Sequence, residues 1–90
     1  MSDISKGIIT MSTKFENICS TVRNYLDSNG INYHECDVQN GINIYTNRGS
    51  QSVTLSIFYT GSIKIGFKKN STQLKDDLLK LKEDIQNGKL

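Results

Sequence analysis

Apolar and polar side chains alternate along residues 53–67, and this alternation constrains the fold more than any other feature. An apolar residue occupies every second position on both sides of the Gly61-Ser62 pair. A period of two predicts strands with one buried face, and a Gly-X pair between them is typical of a two-residue hairpin. We therefore predict an antiparallel sheet whose core-facing residues include Val53, Leu55, Ile57, Tyr59, Ile63, Ile65 and Phe67.

A first helix is predicted from Thr13, because Thr13-Lys-Phe-Glu16 has the form of a capping box. One apolar stripe at helical spacing follows, from Phe15 to Leu26, and it includes Cys19. Asn29-Gly30 ends this helix, since glycine tolerates the left-handed conformation of a helix stop. The apolar residues within 8–11 predict a short strand before it.

Two more strands are predicted between the first helix and the hairpin. Asn40-Gly41 is a strong hairpin signal, and after it Ile42 and Ile44 are expected to point inward. The preceding segment, 31–39, leaves its orientation open. Either Ile31, Tyr33 and Glu35 point inward, or His34, Cys36 and Val38 do, and a β-bulge would reconcile the two.

A second helix is predicted between an N-cap at Asn70 and a stop at Asn87-Gly88, with leucines spaced by three and four. The predicted fold is α+β, in the order (β)-α-β-β-β-β-α. Two layers are expected, a four- to five-stranded antiparallel sheet and two helices packed on one face of it. Residues 1–90 are expected to form one domain, with 1–7 flexible and 88–90 as a tail.

The composition favours a cytoplasmic chain without a membrane segment, because no apolar run approaches the ~20 residues that span a bilayer. Cys19 and Cys36 are expected to be buried thiols rather than a disulfide. The predicted sheet region, residues 31–69, contains four lysines and arginines but only two carboxylates, and this excess of positive charge indicates an anionic partner.

The segment Val53-Thr-Leu-Ser-Ile-Phe-Tyr-Thr-Gly-Ser-Ile-Lys-Ile, with the predicted element order, resembles one repeat of the TATA-box-binding-protein fold. Similar TATA-box-binding-protein-like domains occur in type 3 ribonuclease H and in toxins of the RNase LS type. The resemblance implies that the uncovered sheet face binds nucleic acid. It also implies a bacterial or phage defence setting. The chain has one repeat where the TATA-box-binding protein has two, and a homodimer would restore the second.

The outward residues suit that role. Asn and Thr side chains reach acceptors on bases, and aromatic rings stack on bases or wedge between them. The candidate nucleic-acid-binding residues are Asn43, Tyr45, Asn47, Arg48, Thr54, Ser56, Phe58, Thr60, Lys64 and Lys68.

A catalytic or metal site is not expected. His34 and Cys36 share one strand face while Glu35 and Asp37 share the other, so at most two metal ligands converge. With a single histidine and no third orienting group, we expect a non-catalytic protein without a cofactor. The predicted function is therefore a nucleic-acid-binding module. The alternative is a small protein-interaction module, such as an adaptor, an inhibitor or an antitoxin-like protein, which binds a partner protein or forms a homodimer.

Overall fold

A computed structural model describes the backbone of residues 2–88 and the side chains of residues 14–88. The elements are helix α1 (Ser2–Ser28), strands β1 (Asn32–Val38), β2 (Gly41–Arg48), β3 (Gln51–Phe58) and β4 (Ile63–Phe67), and helix α2 (Thr72–Gln86). The strands form one antiparallel sheet in the order β1-β2-β3-β4. The α+β class and the element order predicted from the sequence are confirmed. In the described chain no helix combines the length and apolar character needed to cross a membrane.

The core lies between one face of the sheet and both helices. On β2 and β3 it takes every second residue, as the alternation predicts. On β4 Ile63 is buried, whereas Phe67, which was also expected in the core, is 52% exposed. On the helices it takes the predicted apolar stripes. The buried apolar side chains are Ile18, Cys19, Val22 and Leu26 of α1, Ile31, Ile42, Ile44, Val53, Leu55, Ile57 and Ile63 of the sheet region, and Leu74, Leu78 and Leu81 of α2. Both helices therefore pack on the same face, and no element among residues 2–88 covers the other face of the sheet, here called the open face.

The predicted strand at residues 8–11 is wrong, because α1 runs through these positions and the sheet has four strands. Thr13 is consequently inside α1 and is not its N-cap. No proline interrupts residues 2–28, so a helix passes through a capping-box pattern without a break. Residues 2–7, expected to be flexible, also belong to α1, and residues 89–90 of the expected tail lie outside the described residues. The predicted stop at Asn29-Gly30 is confirmed, with Gly30 at φ 66°.

Two short loops join the first three strands. Gly49-Ser50 connects β2 to β3, and Gly49 has φ 65°, which suits the first position of a type II′ turn. Gln39-Asn40 connects β1 to β2, and no described residue other than glycine has a positive φ. Gly41 opens β2 with its Cα so close to β3 that an added Cβ would lie 2.0 Å from the carbonyl oxygen of Ile57.

The loop between β3 and β4 is longer than predicted, because Tyr59–Ser62 all leave the ladder. The N–H of Gly61 donates to the carbonyl of Phe58 at 2.8 Å and closes a four-residue turn. Tyr59 is therefore 50% exposed rather than in the core. Its ring packs edge-to-face on Phe15 of α1, with 4.8 Å between centroids.

The start of α2 is fixed by β3 and not by Asn70. Ser71 occupies the N-cap position without a side-chain bond to its own helix. Its buried hydroxyl instead accepts the N–H of Ser52 at 2.8 Å. The side-chain oxygen of Gln51 accepts the N–H of Leu74 at 2.7 Å and so satisfies a free donor of the first helical turn. The predicted end at Asn87-Gly88 is confirmed.

Candidate nucleic-acid interface

The strand register arranges the open face in four rows of side chains. Three rows cross the sheet from β1 to β4, and the fourth ends at β3. The N–H of Lys68 bonds the carbonyl of Ser52 at 3.3 Å, which continues the β3–β4 pairing one residue past β4. Side chains in a row are direct cross-strand neighbours. The rows are Asn32, Asn47, Ser52 and Lys68; His34, Tyr45, Thr54 and Gly66; Cys36, Asn43, Ser56 and Lys64; and Val38, Gly41 and Phe58.

Aromatic rings occupy two of these rows. His34 on β1 and Tyr45 on β2 are stacked, with 5.1 Å between ring centroids and 27° between planes. Such an offset pair is worth ~0.5–1.5 kcal/mol beyond its buried area. Phe58 lies at the end of β3 beside Gly41, where no side chain projects from β2. These rings remain partly or fully exposed, because no described helix packs on this face.

A hydrogen-bonded chain of side chains holds the centre of the open face. The hydroxyl of Ser56 donates to Asn43 Oδ1 at 2.7 Å, and Asn43 Nδ2 donates to the Tyr45 hydroxyl oxygen at 3.2 Å. Because the Tyr45 oxygen accepts in this chain, its own proton is left to donate to a ligand. The network thus orients the phenol and does not use its hydroxyl proton.

The charges of the sheet are divided between its two faces. Glu35 and Asp37 pair with Ile44 and Ile42 and so lie on the helix face. Within the described structure, the open face carries no carboxylate, whereas Lys64 and Lys68 lie along its β4 edge. The open face is therefore a cationic surface with aromatic and amide groups.

The structure brings together most of the predicted site residues. On the open face, as the alternation predicts, lie Asn43, Tyr45, Asn47, Thr54, Ser56, Phe58, Lys64 and Lys68.

Arg48 and Thr60 are placed elsewhere. Arg48 is the last residue of β2, and on this strand the even-numbered residues face the helices. There its guanidinium binds Asp77 of α2 at 2.9 Å. Thr60 lies in the β3–β4 loop, where its hydroxyl is 3.4 Å from that of Ser62.

Three further residues lie on the open face and were not among the predicted site residues: His34, Cys36 and Gly66. His34 and Cys36 were missed because the orientation of 31–39 was left open. A two-residue β1–β2 loop fixes that orientation, since Val38 opposite Gly41 sets His34 opposite Tyr45. Cys36 is exposed, contrary to prediction, whereas Cys19 is buried as predicted, and both are free thiols.

The shifted pKa values belong to the helix side of the sheet. A two-point hydrogen bond from Arg23 of α1 lowers the pKa of the Glu35 carboxyl and raises that of the guanidinium. Burial raises the pKa of the Cys19 thiol and of the Tyr25 phenol. The described residues contain no cluster of three potential metal ligands. The open face offers a ligand aromatic stacking, hydrogen bonding and positive charge.

Comparisons with protein-family models, with curated proteins and with solved structures found no match for this chain.

Proposed function

We propose that this protein is a non-catalytic module that binds single-stranded nucleic acid on the open face of its sheet. One observation carries the proposal: the face combines a stacked His34–Tyr45 pair with Lys64 and Lys68 and has no carboxylate among its described residues. An anionic, base-bearing ligand complements each of these groups.

The rings supply the sequence-tolerant part of the affinity. Every base has a π-face, and stacking on a protein aromatic is worth ~1–3 kcal/mol per base. Tyr45 is held by Asn43 and by His34, so little side-chain freedom is lost when a base settles on it. Phe58 offers a second ring on β3 in another row.

The form of the ligand follows from the size of the surface. Four strands at ~4.8 Å spacing give a sheet about 14 Å across, which suits a few nucleotides of one strand. The resemblance to a TATA-box-binding-protein repeat would favour duplex DNA in the minor groove. That mode uses a saddle of two repeats, and the present sheet has four strands. We therefore favour a single strand of nucleic acid as the ligand. We also propose that the protein is cytoplasmic.

The test is fluorescence anisotropy with labelled single- and double-stranded DNA and RNA at low salt. Wild type is expected to bind single strands at micromolar concentration. Tyr45→Ala is expected to weaken binding about 5- to 100-fold, as loss of one stacking contact implies. The matched control is Phe67→Ala, which removes an exposed ring from the helix side of β4.

Circular dichroism establishes that each variant is folded. Absence of binding to every probe would rule the proposal out, and so would equal losses in Tyr45→Ala and Phe67→Ala. Preference for duplex DNA would instead favour the TATA-box-binding-protein-like mode.

A second candidate function is self-association through the free edge of β4. Phe67 is 52% exposed at that edge, and Lys75 lies over its ring, at 4.6 Å from the centroid. An exposed aromatic side chain on an edge strand, whose outer backbone groups are unpaired, favours pairing with a strand of another molecule. Sedimentation equilibrium tests this candidate: a dimer that Phe67→Ala dissociates supports it, and a wild-type monomer at 100-fold varied concentration excludes it.

A further inference from the structure

We propose that the row formed by Gly66, Thr54, Tyr45 and His34, here called the nucleotide lane, holds one nucleotide across the strands. Its phosphate lies over Gly66 between Lys64 and Lys68, and its base stacks on Tyr45. This inference rests on the proposed function and adds to it the direction of the ligand on the sheet.

The lysines define the phosphate end of the lane. Lys64 and Lys68 lie two residues before and two residues after Gly66 on the same face. A rise of ~3.4 Å per residue places each lysine Cα about 7 Å from that of Gly66. An ammonium on a flexible four-carbon stem covers such a distance, so one lysine reaches the phosphate over Gly66 while the other reaches the next phosphate of the same strand.

Gly66 leaves the space that this phosphate needs. A Cβ added there would meet no atom within 4 Å, and its φ is outside the left-handed region that favours glycine. Neither packing nor backbone conformation therefore requires a glycine at this position. A glycine inside a strand costs ~0.5–1 kcal/mol relative to alanine, and close approach of a ligand is a recognised reason for one.

The remaining positions match the length of a nucleotide. Thr54 is the next residue across the sheet and has a short side chain, so it leaves a shallow floor for the sugar. Tyr45 is two strands from Gly66, at a distance of about 10 Å. The free hydroxyl proton of Tyr45 is then available to an acceptor on the base or the sugar.

The test fills the lane without disturbing the fold. Gly66→Val adds a β-branched side chain in open space and is expected to melt no lower than wild type. Its affinity for a fluorescein-labelled oligodeoxythymidylate of about ten nucleotides is expected to fall about 5- to 100-fold, as loss of a stacked base implies. The control, Asn32→Val, places the same side chain on the open face in another row and is expected to bind within about twofold of wild type.

Thr54→Leu is a second obstruction within the lane, and a similar loss of affinity is expected. If wild type binds and both obstructed variants bind with the affinity of wild type, the nucleotide lane is wrong and the proposed function stands. If wild type binds no probe, both fall. A melting temperature several degrees lower in Gly66→Val would show that the fold requires this glycine, and this would overturn the inference.

Discussion

Salt dependence gives the sharpest check on the open face, because it counts the phosphates that the protein neutralises. Lys64 and Lys68 are the cations of that face among the described residues. For single strands the slope of log affinity against log salt is about −0.7 per phosphate contact. Two contacts therefore predict a slope of about −1.4, which is a loss of about sevenfold between 50 and 200 mM salt.

Replacing Lys64 by Gln is expected to halve that slope. With one contact left, the slope becomes about −0.7 and the loss over the same range about 2.6-fold. Anisotropy titrations at four salt concentrations measure this directly. The control is Lys80→Gln, which makes the same charge change on an exposed position of α2, on the other side of the sheet.

The slopes of the two variants decide between local and diffuse attraction. Contacts at the open face leave the slope of Lys80→Gln at about −1.4, equal to that of wild type. If Lys64→Gln and Lys80→Gln lower the slope equally, attraction comes from net charge and the assignment of phosphate contacts to the β4 edge is refuted. A wild-type slope steeper than about −3 would refute it too, because it requires more cations than this face has.

Two further predictions concern stability. Gly41→Ala is expected to lower the free energy of unfolding by at least about 2 kcal/mol, because its Cβ would lie 2.0 Å from a carbonyl oxygen of β3; urea unfolding measures this, and a change under about 0.5 kcal/mol would contradict it. Hydrogen bonding from Arg23 lowers the pKa of Glu35 in the folded state. The ionised Glu35 therefore stabilises the folded protein above the ordinary carboxyl pKa, and this stabilisation is lost as the pH falls through the lowered pKa. Glu35→Gln is therefore expected to lower stability by up to ~1 kcal/mol at pH 7 and to lose that difference near pH 2, as thermal melts of both proteins at each pH will show.

Most of the open face could be predicted because strands β2 and β3 alternate without interruption. Once Ile44 and Leu55 are assigned to the core, Tyr45 and Thr54 must point the other way. Arg48 was nevertheless predicted to lie on the open face, although it is separated by an even number of residues from the inward-pointing Ile42 and Ile44. The two-residue Gly49-Ser50 turn instead keeps Arg48 in β2, and so its position in the strand directs it to the helices.

The two Gly-Ser pairs show where local sequence is insufficient. Gly49-Ser50 is a two-residue hairpin loop, whereas Gly61-Ser62 is the end of a four-residue loop. In the longer loop, Tyr59 makes a contact distant in sequence, since its ring packs on Phe15 of α1. No pattern within the hairpin reports that partner, so the predicted position of Tyr59 in the core was wrong.

His34, the β1 member of the stacked pair, was not predicted to lie on the open face for a different reason. β1 is an edge strand with few buried residues, so its sequence carries little alternation. The orientation of β1 is reinforced by the hydrogen bond that Arg23 of α1 donates to Glu35. His34 reaches Tyr45 only once that orientation is fixed.

The inward direction of Glu35 and Asp37 also affects how this sheet can grow. A strand from another molecule that paired with β1 would have to place its side chains beside two carboxylates, one of them already engaged by α1. Inward-pointing charge on an edge strand is a known protection against such pairing. Addition of strands, and with it any fibrous aggregation, is therefore directed away from β1 and toward the short edge at β4.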